Sequence, residues 1–134
     1  MKVLFVDQIA KVNYKYTFPL ANGLEKAGAE VLLAIDQKQE KENCRCKRIN
    51  LFNTDEKNVG KLEKMQNYIA SYKKIGEILR ADNFDVLHTE WYTFSPIDYL
   101  FLSRFKKKYG VKYVATVHDI LPFNEKFYDR YFHK

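Results

Sequence analysis

The chain has 134 residues, of which 46% are hydrophobic and 30% charged, a composition typical of a single soluble globular domain with a real core. No apolar run approaches the roughly 20 residues that a membrane-spanning helix needs, and the N-terminal MKVLFVD is too short and too quickly acidic for a signal peptide, so we expect a cytoplasmic protein. The net charge of +6 permits a polyanionic partner, such as nucleic acid, an acidic membrane surface or a phosphorylated substrate, and selects none of them.

The two cysteines do not indicate a metal site. Cys44 and Cys46 form a C-x-C pair without companion ligands. A structural zinc site normally needs four ligands, so the pair is interpreted as two ordinary thiols in a reducing compartment. The sequence also contains no P-loop and no Ser or Cys nucleophile motif, and no metal is predicted because no residues have metal-ligand spacing.

The first part of the chain predicts a strand and a helix. Lys2–Val6 is apolar and begins the sheet, and Asp7–Tyr16 is interpreted as a polar loop after it. Thr17 can cap a helix with its hydroxyl, and Pro19 suits a first helical turn. Apolar residues then recur at helical spacing up to Gly28, which supplies the left-handed stop.

Two strands and a long helix follow. Val31–Ile35 is a continuous apolar run, typical of a strand buried on both faces, and Arg45–Phe52 predicts a weaker strand at an edge. From Leu62 onwards, apolar residues in steps of three or four predict the buried face of an amphipathic helix that ends at Asp82-Asn83. The positions of this face are Leu62, Met65, Ile69, Tyr72, Ile75 and Leu79.

The last part of the chain repeats the strand–helix–strand pattern. Phe84–Leu87 is the fourth predicted strand. Ser95 is a suitable capping residue and Pro96 a suitable first residue for a helix that Gly110 closes. Tyr113–Val117 then predicts a fifth strand, and its apolar character indicates that it is buried.

This alternation predicts a Rossmann-like three-layer α/β/α domain with a parallel sheet, formed by residues 1–134 as one unit. Right-handed crossovers favour the strand order 3-2-1-4-5, which places the fourth strand between the first and the fifth. Ligands of such sheets bind outside the carboxyl ends of the strands. The residues directly after these three strands are therefore expected to line one crevice.

Two histidines follow strands at this edge. His118 comes directly after the fifth strand, where an imidazole could hydrogen-bond a ligand or shuttle a proton, and this role is favoured over a structural one. Asp119 could orient His118 or cap the following turn. His88 holds the same place after the fourth strand, and a structural role for it is an equal alternative.

Three further residues are candidates for ligand contact. Asp7 follows the first strand, and Glu90 could bind a substrate hydroxyl, although a surface carboxylate is the simpler interpretation. Trp91, the only tryptophan, could stack on a sugar or a base, or pack beneath its loop. The loop after Asp7 precedes a helix N-terminus but lacks G-x-G-x-x-G, so a dinucleotide pyrophosphate is not expected there.

Several segments resemble the N-terminal domain of GT-B glycosyltransferases of family 4, which are retaining enzymes. MKVLFVD resembles the family's first strand, and LANGLEKAGAEV resembles its first helix and second strand. FDVLHTEW resembles its fourth strand, and KYVATVHDILP with FYDRYFHK resembles its fifth strand and next helix. The resemblance covers most of the chain, is weakest over Gln37–Lys61, and is carried best by the T-V-H-D-hydrophobic-P segment.

The resemblance implies two Rossmann-like domains that face each other across a cleft. The N-terminal domain binds mainly the acceptor, and a C-terminal domain, absent from this sequence, binds the nucleotide sugar. His118 would contact the donor sugar near the reacting centre. Family members typically need no metal. Many carry a Gly-Gly pair after the first strand, close to the donor phosphates. The pair is missing here, which leaves phosphate contact by this loop open, with Lys11 or Lys15 as candidate substitutes.

The resulting hypothesis is the acceptor-side domain of a cytoplasmic hexosyltransferase of polysaccharide biosynthesis, inactive as a lone chain. It would transfer a hexosyl group, with retention, from a nucleotide sugar to a hydroxyl of a glycan or lipid-linked acceptor, without a further cofactor. Asp7–Tyr16, which includes Lys11, and His88–Trp91 would form the acceptor wall, with Asp119 nearby. Expected partners are the donor-binding domain, in cis or as a partner subunit, and the inner face of the membrane as a peripheral contact, but not nucleic acid.

Two other classes of protein remain as alternatives. The first is a stand-alone sugar- or nucleotide-binding Rossmann-like module, or one half of a split enzyme. The second is a flavodoxin-like or response-regulator-like signalling domain. A receiver domain needs clustered acids after the first strand and a lysine after the fifth. Here a lone Asp7 and the pair His118-Asp119 stand at those places, which disfavours the second alternative.

Overall fold

The computed structural model describes residues 1–36, 44–52 and 59–116. These residues form a five-stranded sheet of order β3-β2-β1-β4-β5, which confirms the predicted Rossmann-like α/β fold and its strand order. Along the chain, the elements are β1 (Lys2–Val6), α1 (Ala10–Lys26), β2 (Glu30–Asp36), β3 (Lys47–Phe52), α2 (Lys61–Ala81), β4 (Val86–Thr89), α3 (Ser95–Tyr109) and β5 (Lys112–Ala115).

Every strand pairing in the described sheet is parallel, and β1 lies at its centre. Val3 pairs with Val31 of β2 on one side and with Val86 of β4 on the other. Because the strands are parallel, their carboxyl ends meet along one side of the sheet, which we call the C-terminal edge. The predicted neighbours β1, β4 and β5 therefore end side by side.

The side chains of β1 divide the core into two halves. Val3 and Phe5 pack against the buried residues of α1, whereas Leu4 and Val6 pack against those of α2 and α3. All four side chains are almost completely buried. Burial of a side chain of this size contributes roughly 1.5–3 kcal/mol to folding, so the central strand is a major source of stability. The two helical layers define the two sides of the C-terminal edge.

Helix α1 begins earlier than the sequence predicted. The prediction that Asp7–Tyr16 forms a loop is wrong, because the helix already begins at Ala10. Its sheet-facing positions include the polar residues Asn13 and Thr17, and both are buried. The spacing of apolar residues alone therefore does not reveal the first two turns of the helix. Thr17 and Pro19 therefore lie inside the helix rather than at its beginning. Gly28, at a φ of 87°, follows the helix in the left-handed conformation that was expected.

Strand β4 and the ends of α3 also differ in detail from the prediction. Strand β4 is shifted towards the carboxyl end, so that His88 lies within the strand and not after it. The N-cap of α3 is Phe94, not Ser95. The carboxylate of Asp98, in the first turn, accepts a hydrogen bond of 2.8 Å from the Phe94 backbone N–H. Gly110 closes the helix with a φ of 67°, as predicted.

Two predictions of burial are wrong. Strand β5 was expected to be buried, but it lies at an edge of the described sheet, and Val114 is 44% exposed. Val117, the predicted last residue of this strand, lies outside the described residues. On α2, the apolar face is buried at Tyr72, Ile75 and Leu79, but Leu62 is 74% exposed. The first turn of α2 therefore projects beyond the core.

Within residues 1–36, 44–52 and 59–116, no helix combines the length and hydropathy needed to cross a bilayer.

The two glycines Gly23 and Gly110 allow a matched test of backbone effects. No neighbouring atom lies within 4 Å of the position that a Cβ would occupy at either residue. Gly110→Ala should lower the free energy of unfolding by about 1–2 kcal/mol, because only its left-handed backbone opposes a side chain. Gly23→Ala, inside α1, should raise it by about 0.5–1 kcal/mol through better helix propensity. Urea denaturation measures both, and changes of the same sign would contradict the assigned conformations.

Candidate functional site

The C-terminal edge gathers buried polar side chains from three adjacent strands. Asp7 follows β1, Asp36 ends β2, and His88 and Glu90 lie at the end of β4. All four are less than 10% exposed. Polar groups at this depth need hydrogen-bond partners, and their arrangement differs on the two sides of the sheet.

On the α1 side, Asp7 anchors the beginning of the helix. Its Oδ1 accepts a hydrogen bond of 3.0 Å from the Ile9 backbone N–H, and its Oδ2 accepts one of 2.5 Å from the Thr17 hydroxyl. Burial raises the pKa of Asp7 to about 6, and the nearby carboxylates of Glu90 and Asp36 raise it further, against the effect of the two hydrogen bonds. Asp7 therefore links β1 to α1, and its contact with a ligand stays a prediction.

Also on the α1 side, His88 is fixed by a stack and a hydrogen bond. Its imidazole lies parallel to the Phe5 ring, with ring centroids 4.4 Å apart. Its Nε2 lies 2.8 Å from the Thr116 hydroxyl oxygen. Burial lowers the pKa of His88 despite the opposing effect of Glu90, so the ring is neutral at pH 7.

The hydrogen bonds determine the tautomer of His88. The Thr116 hydroxyl donates its hydrogen to Glu90 Oε1 at 3.2 Å, so His88 Nε2 must carry the proton that it shares with the Thr116 oxygen. The chain His88–Thr116–Glu90 thus holds the residue that lies two positions before His118. It connects β4 to the segment after β5.

On the other side of the sheet, a second polar cluster surrounds Asp98 of α3. The Asp98 carboxylate is fully buried and accepts hydrogen bonds from the hydroxyl of Tyr72 at 2.5 Å, the backbone N–H of Phe94 at 2.8 Å and Gln8 Nε2 at 3.1 Å. The Tyr68 hydroxyl also contacts Asp98. We call these four side chains, Gln8, Tyr68, Tyr72 and Asp98, the Asp98 network.

Gln8 links this network to the loop after β4. Its Oε1 accepts hydrogen bonds from the Thr93 backbone N–H at 3.0 Å and from the Tyr68 hydroxyl at 2.5 Å. Burial is the main reason why the pKa values of Tyr68 and Tyr72 are raised, so both hydroxyls keep their protons and act as donors. The network therefore joins the end of β1, the helices α2 and α3, and the loop between β4 and α3.

Two pockets lie beside these clusters. One, of about 390 Å³, opens between the first turns of α2 and the loop after β4. The other, of about 380 Å³, lies between α3 and β5, and the tyrosines Tyr92, Tyr99 and Tyr113 contribute to its wall. Both volumes fall in the range of roughly 300–1,000 Å³ that is usual for small-molecule sites. Within the three described segments, no group of three or more His, Cys, Asp or Glu side chains could hold a metal ion.

The structure brings together some predicted site residues and leaves others apart. Asp7, His88 and Glu90 share the α1 side of the C-terminal edge. The interpretation of Glu90 as a surface carboxylate is wrong, because the residue is 1% exposed. Lys11 is exposed on the first turn of α1, and Trp91 is half-buried. His118 and Asp119 lie outside the described residues, so their roles stay predictions.

The sequence analysis missed the partners that hold these residues in place. Gln8, Thr116 and Tyr68 belong to no recognised motif. In the structure, Gln8 lies two residues after β1 and Thr116 lies directly after β5. Their partners come from distant parts of the chain, and no local pattern identifies them.

The raised pKa of Asp7 predicts a specific pH dependence of stability. An aspartate has a pKa near 3.9 when unfolded, and here the folded value is about 6. The contribution of Asp7 to stability is thus complete below about pH 4 and is lost as the pH rises through about 6. Relative to Asp7→Asn, the wild-type protein should lose about 2–3 kcal/mol of unfolding free energy between pH 4 and pH 8. Urea denaturation across this range measures the difference.

Glu77→Gln is the control for this pH experiment, since Glu77 is an exposed carboxylate on α2. This variant should keep the wild-type pH profile. An Asp7→Asn protein with that same profile would show that Asp7 is not the group responsible.

Removal of one donor tests the Asp98 network. Tyr72→Phe keeps the ring but removes the hydroxyl that donates to Asp98, and it should lower the free energy of unfolding by about 1–3 kcal/mol. Tyr14→Phe serves as control, because the half-buried Tyr14 hydroxyl makes no hydrogen bond to another described residue. If both variants unfold at the same urea concentration, the network does not contribute to stability.

Comparison with known proteins agrees with this architecture. Among solved structures, two crystallised fragments of the C-terminal domain of a hydrogenase from Pyrococcus furiosus are similar to this chain. The longer fragment is 19% identical, with a TM-score of 0.66, over 87% of this chain and 90% of that one. The shorter is 18% identical, with a TM-score of 0.62, over 85% and 89%. At this identity, the likeness shows the fold alone.

Sequence comparison identifies the family. No curated protein matches the chain. The family model described as Glycosyltransferase Family 4, however, matches residues 15–134, from the second turn of α1 to the last residue of the sequence. The match therefore covers most of the sheet and the whole of the segments around His88 and Thr116. The chain belongs to glycosyltransferase family 4.

Proposed function

We propose that this chain is the acceptor-side domain of a hexosyltransferase that uses a nucleotide sugar as donor and retains the anomeric configuration. The observation that carries the proposal is the hydrogen-bonded chain His88–Thr116–Glu90 at the C-terminal edge, in a member of glycosyltransferase family 4. With a neutral His88 and a buried Glu90, this chain of hydrogen bonds holds Thr116 in a fixed position. His118, the residue proposed to act on the donor sugar, lies two positions after Thr116 in the sequence.

In the proposed reaction, His118 holds the donor sugar while the acceptor hydroxyl attacks its anomeric carbon. The bond from this carbon to the nucleotide phosphate breaks, and the hydroxyl proton passes to the departing phosphate. Positive charge develops on the sugar ring in such transfers, and a fixed hydrogen bond from an imidazole to the sugar lowers the barrier by orientation and electrostatics. His88–Trp91, Lys11 and Asp119 are proposed to contact the acceptor or the donor phosphates. Asp7 is completely buried, so it is proposed to support the residues of the site from below the protein surface.

The donor site requires a second domain that binds the nucleotide sugar, supplied in cis or as a partner subunit. Closure of the two domains over the substrates would exclude water, which protects a glycosyl group from hydrolysis. The exposed first turn of α1 and the loop after β4 both lie on the C-terminal edge, which is the face that such a partner would cover. We propose that the lone chain does not transfer sugar, and that peripheral contact with an anionic membrane brings it to its acceptor.

The test uses the protein purified with its bound partners from its native source. Transfer from radiolabelled UDP- and GDP-sugars to a lipid extract and to an oligosaccharide mixture is measured. His118→Ala should lower kcat by about 10²-fold, as expected for loss of one transition-state hydrogen bond, without loss of fold. Lys107→Ala, on the exposed last turn of α3, is the matched control and should leave kcat unchanged.

Two outcomes would contradict the proposal. Unchanged kcat in His118→Ala would remove this residue from the reaction. Tight binding of a nucleotide sugar by the 134-residue chain alone, measured by calorimetry and without any transfer, would favour a stand-alone sugar- or nucleotide-binding module.

A further inference from the structure

The pocket between α2 and the loop after β4 has a composition that limits its ligand. It has a volume of about 390 Å³ and lies on the side of the sheet opposite to α1. The end of β3, the first three turns of α2 and the loop after β4 form its walls. The described residues that line it are Phe52, Lys61, Lys64, Met65, Tyr68, Ser71, Thr93 and Phe94.

Most polar groups in these walls are already engaged within the protein. The Tyr68 hydroxyl bonds to Gln8 and Asp98, and the Ser71 hydroxyl donates to the Leu51 carbonyl at 2.5 Å. The Thr93 backbone N–H donates to Gln8. A ligand rich in hydroxyl groups would leave many of them without partners here, because each unpaired polar group costs about 1–3 kcal/mol on burial.

The charged groups of the pocket are two lysines. Lys61 and Lys64 lie three residues apart, on neighbouring positions of the α2 surface, and both are exposed. Neither forms an ion pair with another described residue. Glu63 is the acidic residue of the first turn, and it is not among the lining residues. Two ammonium groups at one wall favour an anionic ligand.

The remaining surface of the pocket is apolar. Phe52 is buried at the base, and Met65 and Phe94 are half-buried, so their side chains contribute apolar surface to the walls. The Tyr68 ring packs against Phe52, with ring centroids 5.9 Å apart. Transfer of an apolar group from water to such a surface is favourable by about 25 cal/mol per Å². The pocket thus combines an apolar interior with a cationic wall.

We propose that this pocket binds the acceptor of the glycosyl transfer, and that it selects an acceptor in which a phosphate is joined to an apolar chain. The inference rests on the proposed function and names its acceptor class: a lipid-linked phosphate rather than a free glycan. The apolar chain lies against Phe52, Met65 and Phe94, and the phosphate binds Lys61 and Lys64.

The position of the pocket fits an acceptor site. Thr93 and Phe94 continue the segment His88–Trp91 that follows β4, so the pocket lies at the same end of the sheet as the His88–Thr116–Glu90 chain. Its base is fixed by the Asp98 network through Tyr68 and Thr93. A ligand bound there would extend from the C-terminal edge along the beginning of α2.

The test measures binding of three probes to the full chain by isothermal titration calorimetry: geranyl phosphate, geraniol and inorganic phosphate. Geranyl phosphate should bind with the highest affinity, because only this probe has both the apolar chain and the charge. The double variant Lys61→Ala/Lys64→Ala should bind it at least about tenfold more weakly, because both ammonium groups that would bind the phosphate are removed. Higher salt should reduce the wild-type affinity.

The matched control is Lys73→Ala/Lys74→Ala, which removes the same charge from exposed positions further along α2. It should bind geranyl phosphate like the wild type. All four lysines are exposed, so circular dichroism should show unchanged folding. Failure of geranyl phosphate to bind, equal affinity of geraniol, or equal loss in both double variants would overturn the proposed site.

Failure of this inference can be distinguished from failure of the proposed function. Sugar transfer to free oligosaccharides together with no binding of geranyl phosphate would overturn the acceptor class and leave glycosyl transfer intact. Binding of geranyl phosphate that depends on Lys61 and Lys64, together with no transfer from any nucleotide sugar, would support the pocket and contradict the proposed function.

Discussion

The arrangement of the C-terminal edge depends on the burial of one carboxylate. Asp98 is fully buried, and such a group is costly unless donors surround it. Its donors come from the end of β1, from α2 and from the turn that begins α3. Each element must therefore occupy one position relative to the others for the carboxylate to be satisfied. In this way a single charge fixes the loop after β4 and the base of the adjoining pocket.

On the α1 side of the sheet, the buried polar groups are held by different interactions. The carboxylates of Glu90 and Asp36 each repel the Asp7 carboxylate, which adds to the cost of burial that raises the pKa of Asp7. The neutral His88 is held against Phe5 by stacking and bonded through Thr116 to Glu90. The burial of carboxylates on this side is electrostatically unfavourable, and one of them, Glu90, is bonded to Thr116, two residues before His118. Strained or costly groups of this kind are common near functional sites, which agrees with the membership in glycosyltransferase family 4.

The two sides of the sheet are proposed to bind different substrates in the proposed reaction. The α1 side, with its rigid chain of hydrogen bonds, is proposed to support the donor sugar. The α2 and α3 side, with an apolar pocket and two lysines, is proposed to receive a phosphate-bearing acceptor. A parallel sheet makes this possible, because its central strands deliver neighbouring residues such as Asp7 and Gln8 to opposite sides of the same edge.

The sequence by itself determined the fold class, the strand order and the meeting of β1, β4 and β5, since apolar periodicity and crossover handedness are local or general rules. It also identified Gly28 and Gly110 as helix ends. It could not show that α1 begins at Ala10, because the buried face there includes the polar residues Asn13 and Thr17, and the partner of the Thr17 hydroxyl is Asp7, outside the helix. Nor could it show the Asp98 network, whose members lie up to 90 residues apart. Hydrogen-bond partners distant in the chain leave no periodic signal, so only the tertiary structure decided which polar residues are buried and which remain free for a ligand.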